Sequence, residues 1–311
     1  MLIYYMYPKI KPYSKKYLHV DTLTSGKPVN VYVECGGNPD GYPVVYLHGG
    51  PGDRINSHVR RLYNPKKYNI IMFDQRGCGN STPSYHTEKN TTQHLISDME
   101  KIREWVGCDR WLVTGGSWGS SLALLYAQAH PSRTSGLILR GVYDLSTDSC
   151  VMDALFTDNK EKMDTLLKLK TEKDSERYRK TNRVLKLPKN NKTRKQLLHL
   201  LSDDNGTHSI FSRPQKETTH EQETIAVIGN HYEEHHYFVP KNTIYKQMHK
   251  IKHIPCYIVN GRYDIVTPFH MANKLKKMFT TCHFDIVKGG HTVMEPEISK
   301  ALVKASDHFI Q

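Results

Sequence analysis

The stretch Trp111-Leu-Val-Thr-Gly-Gly-Ser-Trp-Gly-Ser-Ser-Leu-Ala-Leu-Leu-Tyr-Ala127 decides the fold. It opens as a short apolar strand from Trp111 to Thr114, turns at a glycine-rich corner and continues in good helix formers to about His130. Gly115, Ser117 and Gly119 fit G-x-S-x-G, in the strand–turn–helix context that this nucleophile-bearing corner requires. The glycines answer crowding: a serine on a strained corner projects its hydroxyl only if the residues two before and two after lack side chains. The following helix directs its positive end at the same spot, which favours negative charge developing on a substrate. A plain tight turn could carry the same five-residue pattern. The strand before it and the Ala/Leu helix after it favour a nucleophile.

Outward from this corner, strands and helices alternate. Tyr17 to Glu34 reads as two strands joined at Ser25-Gly-Lys-Pro, a turn signal. Pro43-Val-Val-Tyr-Leu is a buried strand that opens into His48-Gly-Gly-Pro-Gly, and Tyr68 to Phe73 is another, ending in Asp74-Gln-Arg-Gly-Cys-Gly-Asn-Ser. Leu95, Ile96, Met99, Ile102 and Trp105 recur at helical spacing, predicting an amphipathic helix over Thr91 to Val106. Gly136-Leu-Ile-Leu continues the strand series. After Tyr143 the chain becomes polar and charged with helical patterning. From Ile254 the sheet pattern returns: a strand at Pro255 to Asn260, a helix at Phe269 to Phe279, a strand at Cys282 to Val287 and a helix at Glu297 to Phe309. Such alternation means an α/β fold with a mostly parallel sheet covered by helices on both faces. The expected division is a core of residues 1–143 and 247–311, interrupted by a helical cap over 144–246.

With 311 residues the chain can bury a sizeable core. Its formal charge of +13 raises the question of a nucleic-acid partner. Where the charge sits answers it. Lys160 to Leu200 holds fourteen Lys/Arg against five Asp/Glu, so nine of the excess charges lie in one segment. A solvated helical face accounts for that better than a nucleic-acid site, because no zinc-finger, RNA-recognition or helix-turn-helix signature accompanies it. The six cysteines are scattered without a C-x-x-C, as expected of reduced thiols in a cytoplasmic protein. Met1 to Tyr7 is too short an apolar run for a signal peptide and is broken by Pro8; nothing reaches the length of a membrane span. The sequence leaves the oligomeric state open.

Serine is a weak nucleophile and needs a base, which in turn needs an orienting carboxylate. On a sheet of this kind the order is serine, acid, histidine, each in a loop after a strand. Downstream of Ser117, Asp264 in Asn260-Gly-Arg-Tyr-Asp follows one strand, and His291 in Lys288-Gly-Gly-His follows the last. Ordinary loop chemistry competes, since the chain has eighteen histidines. Order and strand-end placement favour Asp264 and His291. The tetrahedral intermediate also needs amide donors: Trp118, directly after the serine, and Gly50 of the glycine loop, with Gly49 close behind.

The combination of His48-Gly-Gly-Pro-Gly, Phe73-Asp-Gln-Arg-Gly-Cys-Gly-Asn-Ser-Thr-Pro, Gly115-Gly-Ser-Trp-Gly-Ser, Leu139-Arg-Gly, Gly261-Arg-Tyr-Asp and Gly290-His resembles the prolyl aminopeptidase (proline iminopeptidase) family of α/β-hydrolases. The likeness covers roughly 28–143 and 254–310. It implies removal of N-terminal proline from short peptides or related amides through an acyl-enzyme, without metal or other cofactor. It also implies that acidic cap residues hold the free amine. Glu234-His-His-Tyr-Phe is similar to the family's Glu-Asn-His-Tyr-Phe, so Glu234 looks like one such carboxylate. The second family glutamate ends a Trp-x-x-Trp-Glu helix, and this sequence has neither tryptophan there. Asp203 or Asp204 is the nearest substitute, although both also suit a turn at Asn205-Gly206. Tyr143 matches an aromatic position lining the family's proline pocket, but Asp144-Leu-Ser-Thr-Asp-Ser-Cys replaces the aromatic-rich stretch beyond it.

Two rivals follow. One is an esterase or amidase whose altered cap demands no free amine; the other is a non-enzymatic binder of nucleic acid or an acidic partner through the basic segment. His231-Tyr-Glu-Glu-His also satisfies H-x-x-E-H, an inverted zinc-protease pattern, but the cap resemblance already accounts for these residues. Cys78 reads as a packed loop thiol rather than a reactive one.

Overall fold

The structure, a computed structural model, describes residues 6–145, 157–169, 174–202 and 219–310. Eight strands form one sheet: β1 (Pro12–Thr22), β2 (Pro28–Gly37), β3 (Tyr42–Leu47), β4 (Tyr68–Asp74), β5 (Trp111–Ser117), β6 (Thr134–Val142), β7 (Cys256–Gly261) and β8 (Cys282–Val287). Their order is β1-β2-β4-β3-β5-β6-β7-β8. β1, β2 and β4 pair antiparallel, and every pairing from β4 onward is parallel. Parallel central strands are covered on both faces and must be apolar throughout, and every residue of β4 is buried. β1 starts earlier than the sequence pattern predicts. It lies at the sheet edge, mostly exposed and carrying Lys15 and Lys16, so it lacks the apolar signal that marks a central strand.

Helices α1 (Thr92–Val106) and α2 (Trp118–Ala129) follow β4 and β5. Thr91 caps α1 and Gly107 ends it in the left-handed region. α2 is buried almost all round, as its Ala/Leu composition requires. Between β6 and β7 lie α3 (Thr157–Leu166), α4 (Asp174–Leu185), α5 (Lys192–Ser202) and α6 (His220–Glu234). Leu167, Leu185, Leu197, Leu198 and Ala226 give them a small apolar cluster of their own. Part of the basic segment is turned inward: Arg177 pairs with Asp164 at 2.6 Å, and Arg194 with Glu223. Both arginines are buried, so some of that charge serves packing rather than an exposed face.

α7 (Phe269–Lys276) and α8 (Pro296–His308) complete the covering layers. α7 stops short of Phe279; Met278 and Phe279 continue as tight turns bonded to Leu275 and Lys276. Two apolar clusters flank the sheet, one under α1, α2 and α7, the other under α8. Among the described residues no helix is long and apolar enough to cross a membrane.

Candidate active site

Ser117 ends β5 and immediately precedes α2, with φ 56° and ψ −129°. A non-glycine residue rarely occupies this region, and the strain is held because the surroundings leave no alternative. A Cβ on Gly115 would lie 2.2 Å from the Gly119 carbonyl oxygen, and one on Gly119 would lie 2.1 Å from the Leu47 oxygen. Both ends of the corner are therefore pressed against backbone, and the serine between them is lifted to a half-buried position.

The glycine loop comes up against it. Gly49 packs so closely that a Cβ there would stand 3.3 Å from the Ser117 Cβ, while Gly50 follows at φ 100°. His48, buried beneath, fixes the loop. Its Nε2 accepts from the Gln75 amide at 3.0 Å, which leaves Nδ1 to donate to the Gly49 carbonyl at 3.0 Å. Burial pushes the His48 pKa down, so the ring is neutral, as those two roles need. The Gln75 side chain donates to the His48 carbonyl at 2.9 Å and accepts from the Trp118 indole at 3.0 Å. Gln75 thus ties together the two segments proposed from sequence as amide donors. Trp118 is the first residue of α2, so its own amide has no carbonyl within the helix to bond.

Asp264 and His291 meet as the sequence predicts. His291 Nδ1 lies 2.9 Å from Asp264 Oδ2, and both residues are buried. Asp264 Oδ1 accepts from the amides of Val266 (3.0 Å) and Thr267 (2.8 Å), and Oδ2 also accepts from the Thr267 hydroxyl at 2.8 Å. Burial works to raise the Asp264 pKa, but His291 and these donors outweigh it and hold the carboxyl below its ordinary value. Gly141, just after Arg140 on β6, abuts Thr267, Asp264 and His291, while the next residue, Val142, pairs with Ser117.

Arg140 is the residue that the sequence reading underused. Its guanidinium lies over Gly116, donates to the His291 carbonyl at 2.6 Å, and places Nη1 3.4 Å from His291 Nε2. A guanidinium can only donate, so Nε2 is the bare nitrogen and Nδ1 carries the proton toward Asp264. That is the tautomer a general base needs. Glu295 braces the same loop by accepting from the Gly290 amide at 2.6 Å. Only the Leu-Arg-Gly and Asp-Gln-Arg-Gly motifs flagged Arg140 and Gln75 in sequence; nothing local flagged Thr267 or Glu295.

On the other side of Ser117, Tyr143 donates to the Tyr237 hydroxyl at 2.9 Å, and Tyr237 stacks on Trp118 with centroids 5.5 Å apart. Glu234 accepts from Asn182 on α4. Burial pushes the Tyr143 and Tyr237 phenols up; the charge of its neighbour Glu233 adds to this at both, and that of Asp144 at Tyr143. Asp203 and Asp204 lie outside the described residues. His231 of the zinc-like pattern is engaged by the Asn90 carbonyl at 3.0 Å, and His235 Nδ1 by the His231 carbonyl.

Sheet order, elbow and strand-end loops define an α/β-hydrolase, and the model of that fold family matches residues 42–297. A bromoperoxidase from Bacillus anthracis superposes with a TM-score of 0.65, covering 96% of this chain and 99% of that one at 18% identity, a likeness of fold alone. The chain is 34% identical over 318 residues to the proline iminopeptidase of Neisseria meningitidis serogroup B, spanning 98% of this chain and 99% of that protein. It is 36% identical over 320 residues to that of Xylella fastidiosa, with the same coverage. It belongs to the proline iminopeptidase family.

Proposed function

We propose that the protein is a serine aminopeptidase that releases N-terminal proline from short peptides through an acyl-enzyme, in the cytoplasm. The observation that carries this reading is the strained Ser117 corner beside a buried, fully hydrogen-bonded Asp264–His291 pair, in a chain that shares full-length identity with proline iminopeptidases. His291 Nε2 takes the Ser117 proton as Oγ attacks the proline carbonyl. Asp264 holds the imidazolium that forms. The oxyanion is received by the amides of Trp118 and of Gly50 in the glycine loop. His291 then protonates the leaving amine, and a water repeats the sequence on the acyl-enzyme.

Residues 144–246 act as the cap that selects the substrate. The pyrrolidine ring lies against Tyr143. The charged amine is held by the acidic end of α6, where the family likeness supports Glu234 and the adjacent Glu233, whose charge acts on the Tyr143 and Tyr237 phenols, is the alternative. A free amine requirement is what separates an aminopeptidase from an esterase of the same fold.

The test is initial rates on a chromogenic proline amide, its N-acetylated form, an alanine amide and a simple ester. Cleavage of the free proline amide, lost on acetylation and lowered at least about a thousandfold by Ser117→Ala, is the expected result. Glu233→Gln and Glu234→Gln identify the amine carboxylate by a KM raised about tenfold or more with kcat held. Ester cleavage indifferent to a free amine would remove the aminopeptidase reading, and full turnover in Ser117→Ala would remove the triad.

A further inference from the structure

Away from the active site, the last two strands begin with a matched pair of cysteines. Cys256 and Cys282 are the first register partners of β7 and β8. Directly paired residues project to the same face of a sheet, on strands about 4.8 Å apart. That separation falls inside the roughly 4.4–6.8 Å between Cα atoms that disulfides span. Both thiols are free, Cys256 is buried, and Cys282 is half-buried against the same apolar cluster. The Cys282 thiol donates to the His283 carbonyl at 3.4 Å.

The pair is chemically asymmetric. The neighbouring Cys256 thiol and, after it, the Lys276 charge favour the Cys282 thiolate and, against the opposing effect of burial, hold the Cys282 pKa below that of an ordinary thiol. Burial pushes Cys256 well up, so it keeps its proton. Cys35, Cys78 and Cys108 are likewise raised by burial, Cys35 to about 11. Among the described cysteines, Cys282 is the one whose thiolate is favoured.

We propose that Cys256 and Cys282 form a peroxide-reactive dithiol that closes to an intramolecular disulfide. The Cys282 thiolate attacks one peroxide oxygen and the O–O bond breaks; the departing hydroxide takes up a proton and leaves as water, and Cys282 becomes a sulfenic acid. Cys256 sulfur then attacks Cys282 sulfur. The S–O bond breaks, and the hydroxyl leaves with the Cys256 proton as a second water. Two thiols are oxidised by two electrons and one hydrogen peroxide is reduced. β8 is an edge strand bonded only to β7, so the link pins it where the sheet is least supported. The catalytic loops leave the opposite ends of these strands, and the link leaves their geometry alone.

The experiment treats the full-length protein with limiting hydrogen peroxide, blocks remaining thiols and maps peptides by mass. A Cys256–Cys282 linked peptide, with the other cysteines blocked, is expected. Cys256→Ser gives a Cys282 sulfenic acid trapped by dimedone, and Cys282→Ser leaves Cys256 unoxidised. Untreated protein binds phenylarsine oxide, a dithiol probe, in a manner lost in either variant. The oxidised protein melts several degrees above the reduced form with turnover within about twofold, as a cross-link that constrains the unfolded chain requires. Both thiols staying blockable after peroxide, Cys282 passing to sulfinic acid without a link, or a disulfide between other cysteines would each overturn the proposal.

Discussion

Thr267 holds the candidate triad from the side that sequence motifs do not mark. Its amide and hydroxyl reach both oxygens of Asp264, and the hydroxyl lies 3.2 Å from His291 Nδ1. Hydrogen bonds to a charged group contribute about 1.5–3 kcal/mol each. Thr267→Val keeps the shape and removes only the hydroxyl, so kcat falls about tenfold while KM moves little. The same change shifts acid stability. Asp264 has a folded pKa held below its unfolded one, so its contribution is present above the unfolded value and is lost as pH falls through the folded value. Without the hydroxyl the folded pKa rises, and the variant loses this stability at a higher pH than the parent. Urea midpoints measured from neutrality to about pH 3 check it; parallel curves would show that the hydroxyl does not support the carboxylate. Ser117, Asp264 and His291 were legible in sequence because each sits in a glycine-marked loop after a strand. Thr267 was not, because its significance lies in a contact to His291 made across 24 residues.

At the scale of elements, the glycine loop and helix α6 meet backbone to backbone. Gly52 has φ 107°, and a Cβ there would lie 2.6 Å from the Ile225 Cα. Arg54 also pairs with Glu221 in the first turn of α6 at 3.0 Å. Both of those side chains are substantially exposed, and such a pair contributes at most about 1 kcal/mol. The close packing at Gly52 is the stronger constraint. Gly52→Ala strains the backbone and pushes α6 away, carrying Glu233, Glu234 and the glycine loop with it. We expect kcat/KM on the free proline amide to fall at least about tenfold at a stability loss of about 1–3 kcal/mol, whereas Arg54→Ala stays within about threefold of the parent. Steady-state rates and urea melts on the two variants decide it; equal effects would put the coupling in the ion pair. The strands, α1 and α2 were legible from apolar periodicity. The docking of α6 was not, because a sequence gives the phase of a helix and not the loop it rests on.

Across the whole molecule, the positive charge divides into an exposed part and a buried part with a different task. Arg76, fully buried, donates to both oxygens of Asp98 on α1 at 2.6 and 2.7 Å, to Asp21 on β1 at 3.1 Å and to the Lys89 carbonyl at 2.6 Å. One side chain therefore fastens the turn after β4 to a helix and to the N-terminal hairpin. Burial opposes its charge, but Asp98 and Asp21 prevail and raise its pKa further. The sequence showed Arg76 only as part of a motif, because its partners lie 22 and 55 positions away. Replacing one member of a buried pair strands the other charge, and Arg76→Met should cost about 3–5 kcal/mol. Removing both charges need not be worse, so Arg76→Met with Asp98→Leu should recover most of that loss. Raising the salt concentration should leave the difference between parent and Arg76→Met nearly unchanged, since a buried pair is little screened. Urea unfolding of the parent, the single variant and the double variant at low and high salt measures all three. A single-variant loss below about 1 kcal/mol, the range of a surface pair, would mean that the hairpin and α1 are held by apolar packing, with Arg76 a passenger between them.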